Sequence, residues 1–203
     1  MRTFFTSDTH FGHKNIIKYC DRPYKSVEEM NEDMILRWND VVKPGDQVFH
    51  LGDFCMGKGS RPKKWVTRLN GHIHFIRGNH DPHVEGQGFA SVQYYKELKV
   101  EGKKIVLLHY PMRTWNGSHR GSWHLFGHVH GTMTVKYGRK TLDDCLAMDV
   151  GSDCFDYAPV SFEEVKKIFE KKERELAKRF AKDSSGKNLS NKEQKFRKKM
   201  ASL

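Results

Sequence analysis

In Met1–His10, MRTFFTSDTH, Met1–Ser7 reads as a buried strand, with Phe4 and Phe5 flanked by Thr as β-formers, and it stops abruptly at the polar cluster Asp8-Thr9-His10. The same design recurs twice. In QVFHLGD, Gln47–Leu51 is a short apolar strand ending in Gly52-Asp53, and in HIHFIRGNHD, His72–Arg77 is a strand ending in Gly78-Asn79-His80-Asp81. Helical sequence lies between them. From about Ser26, where Ser26-Val27-Glu28-Glu29 resembles a capping box, Val27, Met30, Met34, Trp38 and Val41 recur at helical spacing until Pro44-Gly45-Asp46. A basic amphipathic helix follows from about Arg61 to Leu69, before Asn70-Gly71. Strands that deliver polar groups at their carboxyl ends, with helices between, predict a mostly parallel sheet whose ligands bind at that edge.

The second half changes character. Val92–Val100, Lys104–His109, Trp123–Phe126, Thr132–Tyr137 and Leu146–Val150 read as short strands between Gly-rich turns, enough for a second sheet. Glu163–Lys182 reads as an amphipathic helix with Val165, Ile168, Phe169, Leu176 and Phe180 on one face. From Asp183 to Leu203 the chain turns to Ser, Asn, Gln and Lys with few apolar anchors, a composition expected to be disordered. The expected organisation is therefore one α/β domain over residues 1–182 and a basic tail over 183–203.

Composition narrows the function classes. No window is apolar enough to cross a bilayer and nothing at the N-terminus looks like a signal peptide, so a soluble, cytoplasmic protein without a membrane partner is expected. Cys20, Cys55, Cys145 and Cys154 form no CxxC pair and fit reduced packing thiols. The net charge of +11 is unevenly spread: residues 166–203 hold 14 Lys/Arg against 5 Asp/Glu, whereas residues 1–165 hold 22 against 20. A basic arm of this kind is expected to solvate the chain or to contact nucleic acid. All 12 histidines fall between His10 and His130, a crowding that points to a metal site.

The chemistry-bearing positions are Asp8, His10, Asp53, Asn79, His80, His109, His128 and His130, each at a strand end or in a Gly turn. If extended, Asp8-x-His10 and His128-x-His130 each place two side chains on one face, so each pair can grip one metal or span two. Asp53, alone after its strand, suits a carboxylate bridging two cations. Mixed oxygen and nitrogen donors suit manganese, iron, zinc, cobalt or nickel better than magnesium or calcium.

Asp8-x-His10, Gly52-Asp53, Gly78-Asn79-His80-Asp81, His109 and Gly127-His128-x-His130 resemble, in order and spacing, the motifs of the calcineurin-like metallophosphoesterases, over about Met1–Glu164. The resemblance implies two mixed β-sheets packed as a sandwich with helices outside, a four-layer αββα arrangement. It implies two divalent ions, manganese first among them: Asp8, His10, Asp53 and His130 around one, Asp53, Asn79, His109 and His128 around the other. The expected activity is hydrolysis of a phosphate ester by a metal-activated water, with diesters favoured on account of the basic tail. His80 is expected to protonate the leaving oxygen, with Asp81 orienting it. His13, Arg113 and Arg120 are candidate phosphate contacts, the arginines on a loop between two ligand blocks. The sequence departs from the commonest family pattern after His109, where Tyr110-Pro111 stands in place of a glycine. The rival readings are a phosphomonoesterase or nucleotide phosphatase, and a scaffold that keeps the fold without the chemistry.

Overall fold

A computed structural model describes residues 1–57, 61–132, 136–137, 140–141 and 145–182. β1 (Thr3–Thr6), β2 (Gln47–His50) and β3 (His72–Ile76) lie side by side and parallel, with Thr6 beside His50 and His50 beside Phe75. Their carboxyl ends are therefore level, and the loops they feed emerge along one edge. β4 (Ser91–Gln93) extends this sheet in parallel beyond β3, and β11 (Val160–Ser161) closes the other side antiparallel to β1. A second mixed sheet has the order β10 (Ala147–Asp149), β7 (Trp123–Phe126), β6 (Lys103–Leu108), β5 (Tyr95–Val100), with β5 antiparallel to β6 and the other pairs parallel. Two mixed sheets with helices are the class expected.

Alternation along the strands sorts the core into two layers. Phe4, Val48, Ile73 and Phe75 face Met30, Met34, Ile35 and Trp38 of α2 (Val27–Val41). Phe5, Phe49 and Ile76 face the other way and share a cluster with Ile105, Leu107, Trp123 and Leu125 of the second sheet. That cluster also takes Val165, Phe169 and Leu176 of α4 (Phe162–Lys182), where Phe169 stacks on Trp123 with ring centroids 4.5 Å apart. Both helix starts use local polar chemistry. Ser26 accepts from the Glu29 N–H, while Glu29 reaches back to the Lys25 N–H; at α4, Ser161 and Glu164 cap each other reciprocally.

Several boundaries differ from expectation. The run Val92–Val100 is two strands in different sheets, broken at exposed Tyr94, because β4 pairs with β3 and β5 with β6. Apolar alternation does not reveal which neighbour a strand will choose. Ile168 is 39 % exposed rather than part of the buried face of α4. The helix near Arg61 is the short α3 (Pro62–Val66), and α1 (Ile16–Tyr19) adds a single turn beyond those foreseen. Of Thr132–Tyr137, Lys136–Tyr137 forms β8 against β9 (Lys140–Thr141), while 133–135 lie outside the described residues. The basic tail 183–203 and the side chain of Phe180 also lie outside them. Among the described residues no helix is long and apolar enough to cross a membrane.

Candidate metal centre

The loops leaving β1 and β2 are zipped together by backbone bonds from Asp8 N–H to Gly52 O (2.9 Å), His10 N–H to Asp53 O (3.0 Å) and Phe11 N–H to Phe54 O (2.9 Å). Fully buried His50 staples them from behind. Its Nδ1 accepts from the Gly52 N–H, so Nε2 carries the proton and donates to Thr9 Oγ1, whose hydroxyl donates to Phe54 O. Burial pushes the His50 ring down to about 3, which keeps it neutral and suited to this relay.

Within these loops Asp8 (φ 55°), His10 (φ 51°), Asp53 (φ 55°), His128 (φ 73°) and His130 (φ 48°) all adopt left-handed backbone. The expected extended geometry for the Asp-x-His and His-x-His pairs is thus replaced by tight turns. Each such residue costs on the order of 1–3 kcal/mol and persists only where its surroundings impose it. Two glycines make the close approach possible: a Cβ on Gly78 would overlap Asp53 Oδ1, and one on Gly127 would overlap Ser7 Oγ and Asp8 Oδ2.

The result is two adjoining donor groups. Asp8, His10 and His130 form one and Asp53, His109 and His128 the other, with the donor atoms of each group within 4.8 Å of one another. Asp8 and His10 therefore fall in one donor group, whereas His128 and His130 divide between the two. Asp53 joins the groups, its Oδ2 lying 3.7 Å from His10 Nε2 and 3.6 Å from His109 Nε2. Asn79 completes the second group with Oδ1 2.9 Å from His109 Nε2.

This donor set fits cations. Among the described residues Asp8 Oδ1, both ring nitrogens of His10 and His13 Nδ1 are buried without a hydrogen-bond partner, an expensive arrangement that a bound cation relieves. His109 Nδ1 donates to Leu51 O (2.7 Å), which turns the lone pair of Nε2 toward the oxygens of Asn79 and Asp53. Burial pushes the Asp8 carboxyl up to about 8, the signature of an anion enclosed without its countercharge. Burial, helped by the surrounding cations and histidines, drives the His10 ring far below its ordinary value, and burial with His109 lowers His128. Both rings are then neutral, the form that binds a metal.

His80 stands at the open side of the cluster. Its side chain is 44 % exposed, Nε2 lies 4.0 Å from Asp53 Oδ2, and its backbone N–H donates to Asp53 Oδ1 at 3.0 Å. Asp81 does something other than orient that ring. Its Oδ2 accepts from the N–H groups of Asp53 (2.7 Å) and Gly78 (2.8 Å) and its Oδ1 from Phe54 (3.1 Å), so it fixes the backbone that carries Asp53. His13 borders the cluster, with its ring centroid 5.4 Å from that of His10. Arg113 and Arg120 are exposed, on a loop that Trp115 anchors by packing 5.2 Å from His124.

Three supporting residues carried no sequence signal. Asp153 accepts from His130 Nδ1 (2.7 Å), which aims Nε2 at Asp8, and pairs with the buried guanidinium of Arg22 (2.8 Å). Burial opposes charge on His130, but Asp153, Cys20 and Asp8 outweigh it and hold the ring above its ordinary value. Arg22 also donates to Asp8 O and Thr9 O, bracing the first ligand loop. Asp149 accepts from the Gly131 and Gly151 N–H groups and so anchors the loop bearing His128 and His130. The Arg22–Asp153 pair joins residues 131 positions apart, and the contacts of Arg22 with Asp8 and of Asp153 with His130 join separate loops, so no local pattern announces them.

Residues 1–159 match the calcineurin-like phosphoesterase superfamily domain, and the chain belongs to that family. An uncharacterized protein of Methanocaldococcus jannaschii, MJ1445, is 37 % identical over 177 residues, spanning 84 % of this chain and 92 % of its own. The Gene 66 protein of Mycobacterium phage L5 is 38 % identical over 85 residues, 40 % of this chain and 41 % of its own. Among solved structures, the protein of unknown function AQ665 from Aquifex aeolicus superposes with a TM-score of 0.63 at 25 % identity, covering 82 % of this chain and 98 % of that one.

Proposed function

We propose that this chain is a dinuclear-metal phosphohydrolase that favours phosphodiesters. The observation that carries this reading is the placement of Asp53 Oδ2 between His10 (3.7 Å) and His109 (3.6 Å), with Asp8, His10 and His130 on one side and Asn79, His109 and His128 on the other. Asp8, His10, Asp53 and His130 would hold one ion and Asp53, Asn79, His109 and His128 the other. Two divalent ions, manganese by preference, would supply an acidified water and neutralise charge building on the phosphate. The chain's own residues supply the rest. His80 Nε2 gives its proton to the leaving oxygen as the ester P–O bond breaks and the water oxygen bonds to phosphorus. His13, Arg113 and Arg120 are assigned to the phosphate, the basic tail to nucleic acid, and the protein to the cytoplasm.

The test is hydrolysis of bis(p-nitrophenyl) phosphate and p-nitrophenyl phosphate by metal-stripped protein reloaded with manganese, nickel, zinc or magnesium. The diester is expected to be the better substrate. His80→Asn is expected to retain metal while turnover falls by about 100-fold. Cleavage of the monoester alone would favour a phosphomonoesterase; a protein that binds metal yet cleaves neither would be the scaffold.

A further inference from the structure

A cavity of about 450 Å³ opens beside the ligand cluster, and His80 belongs to both, facing Asp53 on one side and lining the cavity on the other. Its volume falls in the range of small-molecule sites, roughly 300–1,000 Å³. A bare phosphate would leave most of it empty. The walls carry two chemistries. Pro62 and Val84 are buried apolar surfaces with half-buried Met56 beside them, whereas Arg61 and His83 are exposed and Gln87 half-buried. Among the described residues Asp81 is the one carboxylate in the lining, and its oxygens are already held by three backbone N–H groups. The cavity therefore offers apolar faces together with cationic and amide donors. That combination suits a planar heterocycle carried on a sugar, whose ring faces are apolar and whose edges and hydroxyls take hydrogen bonds.

Tyr110, which is not part of the cavity lining, offers a second surface. Tyr110 packs 4.7 Å from the His128 ring and 5.0 Å from the His109 ring, yet remains 45 % exposed. An exposed aromatic held against two metal-ligand candidates offers a stacking face for the other arm of a diester.

We infer that the cavity beside His80 is a leaving-group subsite for a nucleoside, so that the substrate is a phosphodiester with a nucleoside leaving group. The inference rests on the hydrolytic reading above and specifies its substrate. The group in the cavity is the one whose oxygen His80 can reach. Water oxygen bonds to phosphorus, the P–O bond to the nucleoside breaks, and the nucleoside oxygen takes the His80 proton. The products are a free nucleoside and a phosphate monoester, with the water proton released to solvent.

The test compares thymidylyl-thymidine with bis(p-nitrophenyl) phosphate in the wild type, in Arg61→Ala, which strips a donor from an exposed position, and in Met56→Trp, which fills the cavity. The ratio of kcat/KM for the dinucleotide over the aryl diester is expected to fall at least about tenfold in each variant, as when a site loses a substrate-specific contact. Thymidine binding to metal-free protein, read by saturation-transfer NMR, is expected in the wild type and lost in Met56→Trp. An unchanged ratio, or thymidine bound equally well by Met56→Trp, overturns the inference. If neither ester is cleaved with any metal the hydrolytic reading fails, and thymidine binding still decides the cavity: its loss in Met56→Trp upholds a nucleoside site, and no binding to the wild type removes it.

Discussion

Asp81→Asn separates two roles for a residue that adjoins the candidate general acid. The carboxylate is 5 % exposed and accepts three backbone N–H groups, two on Oδ2 from Asp53 and Gly78 and one on Oδ1 from Phe54. Burial pushes this carboxyl above its usual range, and the three donors hold it back. An asparagine keeps one oxygen, and if that oxygen serves Asp53 and Gly78, its NH2 meets the Phe54 N–H donor to donor. Hydrogen bonds to a charged acceptor are worth about 1.5–3 kcal/mol, neutral ones about 0.5–1.5, and a buried orphan donor costs about 1–3. Two weakened bonds and one orphan amount to a loss on the order of 3–5 kcal/mol. Because the affected N–H groups flank Asp53, metal should be lost with stability. Denaturant titration of the metal-free protein and metal content of the reloaded protein provide the readout. Wild-type stability and full metal content, with only turnover reduced, would refute this reasoning and return Asp81 to the role of orienting His80.

Asp153→Asn removes the countercharge of the buried Arg22 guanidinium and the anion behind His130; destabilisation of about 3–5 kcal/mol and manganese affinity lower by about 10–100-fold are expected, measured by denaturation and calorimetry. Gly127→Ala should displace Asp8 and release metal, because the new Cβ overlaps Ser7 Oγ and Asp8 Oδ2; Gly45→Ala, with open space at its Cβ, should retain full metal content. Asp46 is held at about 2 by the Arg2 N–H, the Lys43 N–H and the Arg2 guanidinium. A carboxyl depressed in the folded state stabilises above its ordinary value and loses that contribution as pH falls through the folded value. The stability gap between wild type and Asp46→Asn, on the order of 1–2 kcal/mol near neutrality, should therefore close between about pH 4 and pH 2; a gap independent of pH would contradict the assignment.

The first sheet was legible because β1, β2 and β3 each end in a polar cluster after an apolar run, and parallel neighbours align those ends. The seven candidate donors stand out by type and order, and the structure places their side chains together. Their backbone does not stand out, since left-handed turns at Asp8, His10, Asp53, His128 and His130 are imposed by the glycine cradles and loop-to-loop bonds rather than by local preference. Asp81 is hidden for a similar reason: adjacency to His80 in sequence suggests a side-chain partner, whereas its oxygens accept from the backbone of Gly78 and of a loop 27 or 28 residues earlier. Arg22, Asp149 and Asp153 act through contacts that only the folded chain creates.

Two bound ions sharing Asp53 are the claim on which the rest depends, and calorimetric titration of metal-stripped protein with manganese tests it directly. Two equivalents per chain are expected for the wild type, one for His128→Ala, and none with measurable affinity for Asp53→Ala. A single equivalent in the wild type, or two retained by Asp53→Ala, would contradict a bridged dinuclear centre.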